Sequence, residues 1–259
     1  AGWRGGCLSA PAVFAWMGAA ALAMFLAFSG RLGLRLRHLT APRTPAAVIG
    51  AAKRHWAFGR WSLGKTALYW FSSLIYLPVV GALAGLESVA SYRAAENLMS
   101  PMSQILTASG LLLFPWLARE RQVKGSAYLR RAAAGIGLTA CLVAAAYGIA
   151  VIAGGRWLLR TVYGDDRYAG SFCLAPFLAA GLVFRAAADT GAGLAARAAG
   201  RPDIELRAAA ASAAVTLGAG LALVKAFGIT GAAAGYALSA AAGAAVAVIA
   251  FCARPGAQR

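Results

Sequence analysis

Oppositely charged residues occur in pairs inside two of the long apolar stretches of this sequence. Arg93 and Glu96 lie three residues apart, and Arg185 and Asp189 lie four apart. At either spacing both residues fall on one face of a helix. An ionisable group at the centre of a bilayer costs about 2.5–3.5 kcal/mol on insertion scales, so such groups face a protein interior or a water-filled cavity. The pairs therefore indicate either residues that line a cavity or ion pairs that hold neighbouring helices together.

Three further polar residues belong to the same set of candidates. Asn97 and Gln104 follow Glu96 in its apolar stretch, and Lys65 stands near the start of another one. The long side chain of Lys65 can extend its charge to the membrane interface, and a place in a cavity fits its position equally well. We therefore treat Lys65 as a candidate for the cavity lining as well.

The sequence lacks the residue patterns that are typical of enzymes. It contains no Ser-His-Asp grouping, no nucleophile elbow and no phosphate-binding loop. His38 and His55 have no third ligand nearby, and the four cysteines do not have the spacing of a metal site. We therefore expect no enzymatic activity, no metal and no cofactor.

The composition predicts an integral membrane protein. Of the 259 residues 61% are hydrophobic and only 13% are charged, and the mean hydropathy is +0.67, whereas soluble chains carry about 25% charged residues. The net charge of +17 could suit nucleic acid. However, the basic residues lie in short loops beside apolar stretches, where anionic lipid headgroups and membrane orientation explain them. We expect membrane lipids as partners, and no nucleic acid.

The order of apolar stretches and loops predicts an all-α, polytopic helical bundle with about seven transmembrane helices. Residues 1–30 hold the first span. Residues 31–60 form a basic linker that contains a possible amphipathic helix (46–56), residues 61–253 form a unit of six helices, and residues 254–259 form a tail. The predicted spans are 11–29, 61–84, 88–119, 132–153, 171–199, 208–227 and 231–252. Because the chain opens AGWRGG without a methionine, we expect it to be part of a longer protein.

The loops differ strongly in charge between the two sides of such a bundle. On one side, residues 30–60, 116–132, 197–207 and the tail hold seventeen Lys and Arg residues, against four near 156–167 and at Lys225 on the other side. The positive-inside rule then predicts a cytoplasmic C-terminus.

Between Arg54 and Phe251 the sequence resembles the C-terminal half of a polysaccharide or O-antigen flippase, a family within the multidrug/oligosaccharidyl-lipid/polysaccharide exporters. The matching stretches, in order, are HWAFGRWSLGKTALYW, VASYRAAENLMSPMSQI, FPWLAR, VYGDDRY, GRPDIELR and GITGAAAGYAL. The resemblance implies two lobes of six helices that face each other across a central cavity. This chain would supply the last helix of the first lobe, the linker and the whole second lobe.

The resemblance also implies a function, namely moving a polyprenyl-diphosphate-linked oligosaccharide across the bacterial cytoplasmic membrane by alternating access, for cell-surface polysaccharide or lipopolysaccharide biosynthesis. Arg93 and Arg185 would meet the anionic headgroup, since arginine binds phosphate oxygens in bidentate fashion. Side-chain hydrogen bonds to sugar hydroxyls would come from Asn97, Gln104 and Ser103. Glu96 and Asp189 would tune the arginines or couple transport to H⁺ or Na⁺.

Three alternatives remain open on the sequence alone. A drug or cation exporter of the same superfamily is disfavoured, because cations outnumber carboxylates within the spans. A membrane enzyme that polymerises or ligates glycans should show a large outer loop, and the longest here has about fifteen residues. A structural membrane subunit would use the charged pairs only to hold its helices together.

Overall fold

The computed structural model describes residues 10–36, 44–163 and 166–253, and all secondary structure in these ranges is helical. The prediction of an all-α fold is therefore confirmed for this part of the chain. In order, the helices are α1 (Ala10–Leu36), α2 (Pro45–Leu74), α3 (Tyr76–Tyr163), a 3₁₀ helix (Asp166–Leu174), α4 (Ala175–Arg185), a first π-helix (Ala186–Gly193), α5 (Leu194–Ala198), α6 (Asp203–Val215), a second π-helix (Thr216–Gly220) and α7 (Leu221–Cys252).

Two of the helices are interrupted at single glycines. In α3 the backbone leaves helical geometry at Gly85 (φ 81°) and at Gly125 (φ 79°), and in α7 it does so at Gly228 (φ 58°). Residues with a Cβ rarely adopt these positive φ values, whereas glycine does so freely. The interruptions divide α3 into α3a (76–84), α3b (86–124) and α3c (126–163), and α7 into α7a (221–227) and α7b (229–252).

Contacts across these glycines show that the chain reverses direction at each of them. Across Gly85, a Cβ built on Gly81 would lie 3.3 Å from Val89 Cγ2. The Tyr147 hydroxyl of α3c donates a 2.6 Å hydrogen bond to the Leu98 carbonyl of α3b, and the two residues are nearly equidistant from Gly125. A Cβ built on Gly235 of α7b would lie 3.0 Å from Gly220 Cα, on the other side of Gly228. Neighbouring segments therefore form antiparallel hairpins.

Three helical stretches are long and apolar enough to cross a membrane: Pro45–Thr161, Gly170–Ala198 and Asp203–Cys252. Phe14–Ser29 is a shorter apolar helix. This count differs from the seven spans expected from the sequence. The physical reason is that each hairpin turn interrupts the helix at one glycine only. A straight helix of 117 residues would be about 175 Å long, far longer than the ~30 Å hydrocarbon core, so the first stretch is divided by its turns.

The chain divides into two compact units, Ala1–His55 and Trp56–Arg259. Helix α2 runs without a break from Pro45 to Leu74. The amphipathic helix and the second span, which the sequence analysis separated near residue 60, are therefore one continuous helix. Residues 37–43 of the predicted linker and the predicted tail 254–259 lie outside the described residues.

The interior of the second unit consists largely of small residues. Buried alanines are numerous, while large apolar side chains such as Leu86, Leu112 and Leu138 are exposed at 84%, 79% and 63%. Soluble proteins avoid large exposed apolar surfaces, whereas membrane helices pack through small residues and turn large ones to the lipid. This distribution favours a bundle whose outer surface faces hydrocarbon.

Several turns and helix ends of the second unit meet at one end of the bundle. Arg121 of α3b donates a 3.0 Å hydrogen bond to the Ala198 carbonyl, which brings the Gly125 turn next to the turn at Gly200. A Cβ built on Gly64 of α2 would touch Leu206 of α6 at 3.0 Å. We call this end the basic pole, because eight Lys and Arg residues lie near it on α3b, α3c, α5, α6 and the 199–202 turn: Arg119, Arg121, Lys124, Arg130, Arg131, Arg197, Arg201 and Arg207.

The pairing of small residues makes a direct prediction about stability. A Cβ added at Gly137 of α3c would lie 2.9 Å from the backbone Cα of Gly191, too close unless the helices move apart, whereas a Cβ at Gly135 meets nothing within 4 Å. We expect Gly137→Ala to lower the free energy of unfolding by about 1–3 kcal/mol. Gly135→Ala, two residues away in the same helix, should leave it unchanged or raise it by about 0.5–1 kcal/mol. Thermal unfolding of both purified variants in one detergent tests this, and equal stability would contradict the close packing.

Candidate functional site

Five charged side chains from α2, α4, the first π-helix, α5 and α6 form a continuous network near the basic pole. Arg185 Nη2 lies 3.1 Å from Asp189 Oδ2, and Lys65 Nζ lies 3.6 Å from Asp189 Oδ1. Lys65 Nζ also lies 3.2 Å from Glu205 Oε1, which in turn lies 3.1 Å from Arg197 Nε. We call these residues (Lys65, Arg185, Asp189, Arg197 and Glu205) the charge network. Its three cations and two carboxylates leave one net positive charge.

Glu205 is the most buried member of the charge network. Its side chain is 10% exposed, compared with 27% for Lys65 and 30% for Arg197. Glu205 Oε1 and Arg197 Nε are both shielded from solvent, and neither makes a hydrogen bond. Their 3.1 Å contact is therefore an ion pair without the directional geometry of a hydrogen bond.

Two tyrosines enclose the guanidinium group of Arg185. Its Cζ lies 4.6 Å from the centre of the Tyr69 ring, a cation–π arrangement. The Tyr236 hydroxyl of α7b lies next to the Arg185 guanidinium group. Arg185 thus meets a carboxylate, a ring face and a hydroxyl, and its planar group is fixed in orientation.

The backbone that carries Asp189 is a π-helix rather than an α-helix. The π-helix begins directly after Arg185 and ends at Gly193, so it holds Asp189, while Arg197 follows in α5. The Asp189 carbonyl accepts a hydrogen bond from Arg197 Nη2 at 3.4 Å. π-Helices are rare, and short ones often occur at functional sites. Gly193 lets the π-helix approach α6, since a Cβ there would lie 2.9 Å from Glu205 Oε1.

Two clefts flank α2 at the charge network. The first has a volume of about 310 Å³ and opens between α2, α3b and the π-helix, where Ser103 and Thr107 add hydroxyl groups to the lining. The second, of about 80 Å³, is lined by Ser72 of α2, Ser212 of α6 and Tyr236 of α7b. Lys65, Tyr69, Arg185 and Asp189 line both clefts. The first cleft can admit a group the size of a phosphate or a monosaccharide, with cations and hydroxyls within reach.

The structure brings three of the seven predicted site residues together and leaves four apart from them. Lys65, Arg185 and Asp189 belong to the charge network. Arg93 and Glu96 form their own ion pair at 2.8 Å on α3b, with side chains 45% and 38% exposed. Asn97 and Gln104 are exposed on the same helix and do not line either cleft.

Sequence reasoning missed two members of the charge network. Arg197 and Glu205 lie beside the Gly200 turn, in the stretch 197–207 that counts as a basic loop in the prediction of orientation, and neither is among the predicted site residues. One signal was available: Glu205 follows Asp203 in GRPDIELR, with Ile204 between them, so the two acids lie on different faces of α6. Asp203 pairs with Arg207 at 3.3 Å near the surface, whereas Glu205 turns inward.

Comparison with known proteins does not identify this arrangement. No family model, no curated protein and no solved structure matches the chain. The functional assignment therefore depends on the geometry of the charge network and on the resemblance of the sequence motifs described above.

In chemical terms, the three cations of the charge network can bind an anion. The described residues hold no group of three His, Cys, Asp or Glu side chains that could bind a metal. Carboxylates that are each shared between two cations can release one of them when an anionic ligand arrives, because the ligand supplies the replacement charge.

Proposed function

We propose that this chain belongs to a transporter that moves polyprenyl-diphosphate-linked oligosaccharides across the bacterial cytoplasmic membrane by alternating access. The observation that carries the proposal is the surplus cation of the charge network at a cleft between apolar helices. Tyr69 and Asp189 fix the orientation of the Arg185 guanidinium group, and Arg185 lines the first cleft. A diphosphate is a strong acceptor of charge-assisted, bidentate hydrogen bonds from arginine.

The remaining features of the proposal follow from the distribution of charge. We assign the basic pole and the C-terminus to the cytoplasmic side by the positive-inside rule, with seven spans in this chain. The charge network would then meet the headgroup from the cytoplasmic side, where lipid-linked precursors are loaded. Ser103 and Thr107 of the first cleft would hydrogen-bond the first sugar, and Asp189 or Glu205 would exchange H⁺ or Na⁺ during the cycle.

The exposed Arg93–Glu96 pair supports a facing lobe outside this chain. The pair lies eight or more residues past the Gly85 turn, at least about 12 Å along α3b. Charged side chains at such a depth are costly against lipid. In the proposed transporter this face of α3b would line the central cavity opposite the other lobe. The net positive charge near the cleft disfavours export of cationic drugs by the same fold.

The decisive experiment measures where the lipid-linked oligosaccharide accumulates in cells depleted of the full-length protein. We expect accumulation in the cytoplasmic leaflet and loss of assembled polymer outside, with recovery when the intact gene is supplied. In a parallel experiment, depleted cells express an Arg185→Ala form, which should not restore the normal leaflet distribution of the lipid-linked oligosaccharide. An unchanged leaflet distribution after depletion would refute the proposed cargo, and drug or cation efflux would then be measured.

A further inference from the structure

A third cavity lies between α3c, the first π-helix and α7b, away from the charge network. It has a volume of about 460 Å³, and its walls are almost entirely apolar. Gly137 and Gly191, whose backbones nearly touch, form part of its lining, and Leu138, Val248 and Phe251 contribute larger side chains. We call it the α3c–α7b groove. Leu138 is 63% exposed, so the groove opens to the outer surface of the bundle.

Two arginines stand at the end of the groove that is nearest the basic pole. Arg130 and Arg131 lie near the start of α3c, five and six residues after the Gly125 turn, and both line the cavity. Within the described part of the chain neither has an ion pair, a hydrogen bond or a ring contact. Most of the neighbouring cations differ in this respect: Lys124 pairs with Glu120, Arg197 with Glu205, and Arg201 and Arg207 with Asp203.

We infer that the α3c–α7b groove is a binding site for an anionic phospholipid, with its phosphate between Arg130 and Arg131 and one acyl chain along the apolar walls. Charge complementarity carries the inference, because two adjacent arginines without partners sit at the mouth of an apolar groove. An apolar peptide segment would leave both arginines unpaired, and a soluble anion would leave the apolar walls uncovered. A phospholipid satisfies both ends at once.

The position of the groove along the bundle fits the same occupant. The arginines lie at the level of the basic pole, where the headgroups of the adjacent leaflet would be, and the groove extends from there toward the middle of the bundle. Basic pockets between membrane helices on the cytoplasmic side are a recurrent way to hold anionic headgroups. A lipid here would touch the first π-helix at Ala187, Gly191 and Ala192, on the face opposite Asp189's ion pairs. The inference does not depend on the cargo proposed above.

The test is native mass spectrometry of the purified full chain with added phosphatidylglycerol or phosphatidylcholine. We expect the wild-type chain to retain one phosphatidylglycerol in preference to phosphatidylcholine, and the Arg130→Gln/Arg131→Gln variant to bind phosphatidylglycerol about tenfold more weakly. The matched control is Arg119→Gln, since Arg119 is also near the basic pole without an ion pair among the described residues but does not line the groove. Its affinity for phosphatidylglycerol should change by less than twofold.

A second variant tests the acyl-chain part separately. Ala134→Phe places a ring in the groove without changing charge, and it should weaken phosphatidylglycerol binding while the melting temperature without lipid stays close to that of the wild type. The inference is overturned if the double arginine variant retains phosphatidylglycerol as the wild type does, if phosphatidylcholine binds equally well, or if glycerol phosphate competes as effectively as the intact lipid. Melting curves of the arginine variants show whether they are folded, and the single substitutions Arg130→Gln and Arg131→Gln replace the double variant if it is not.

Discussion

Glu205→Ala is expected to destabilise the second unit by about 3 kcal/mol, because it leaves Lys65 and Arg197 without their shared carboxylate. Breaking a buried ion pair by removing one partner costs about 3–5 kcal/mol, and the lower end applies because both cations keep some exposure. The expected readout is a lower melting temperature of the purified protein in detergent. Lys65→Met combined with Glu205→Ala should recover part of the loss, since one of the unpaired cations is then gone.

Glu87→Ala is the matched control for this prediction. Glu87 lies two residues after the Gly85 turn and has no ion pair among the residues that the structure describes. The same change in size and charge there should alter the free energy of unfolding by less than about 0.5 kcal/mol. If Glu205→Ala and Glu87→Ala melt at the same temperature, the inward position of Glu205 in the charge network is wrong.

Arg185→Ala in the full-length protein is expected to lower export at least tenfold while leaving membrane insertion and protein abundance unchanged. Arg185 is the cation of the charge network that is fixed on three sides, and its removal deletes the bidentate donor at the first cleft. Arg185→Lys should give an intermediate rate, because a lysine keeps the charge but loses the planar fork and the stacking on Tyr69. The measurement is export of surface polysaccharide, normalised to protein in the membrane.

Arg156→Ala provides the comparison for Arg185→Ala. Arg156 lies at the end of the bundle away from the basic pole, with its Cζ 5.8 Å from the Phe172 ring, and it lines neither cleft. Its variant should export normally. Normal export by the Arg185→Ala variant at normal abundance would show that Arg185 does not bind the cargo. The charge network would then serve only to hold the helices together.

The helical class of the fold could be predicted because composition and apolar stretches determine it almost alone. The sequence predicts seven separate spans, whereas the structure has fewer continuous helical stretches. The two differ because Gly85, Gly125 and Gly228 each reverse the chain within a single residue. In the site, Arg185 and Asp189 could be paired from their spacing, because four residues is a local relation on a helix. The links from Lys65 to Asp189 and from Arg197 to Glu205 join residues on different helices, and helix packing decides such contacts.

The first π-helix has a mechanical consequence for the two arginines on either side of it. A π-helical turn holds more residues than an α-helical turn, and each residue of an α-helix turns the chain by about 100°. If residues 186–193 wound into α geometry, α5 would rotate about its axis relative to α4. Arg197 and Arg185 would then no longer face the same cleft, although the hydrogen bonds of both α-helices would persist. Such a change in winding would therefore separate Arg197 from Glu205 without any change of conformation in a loop.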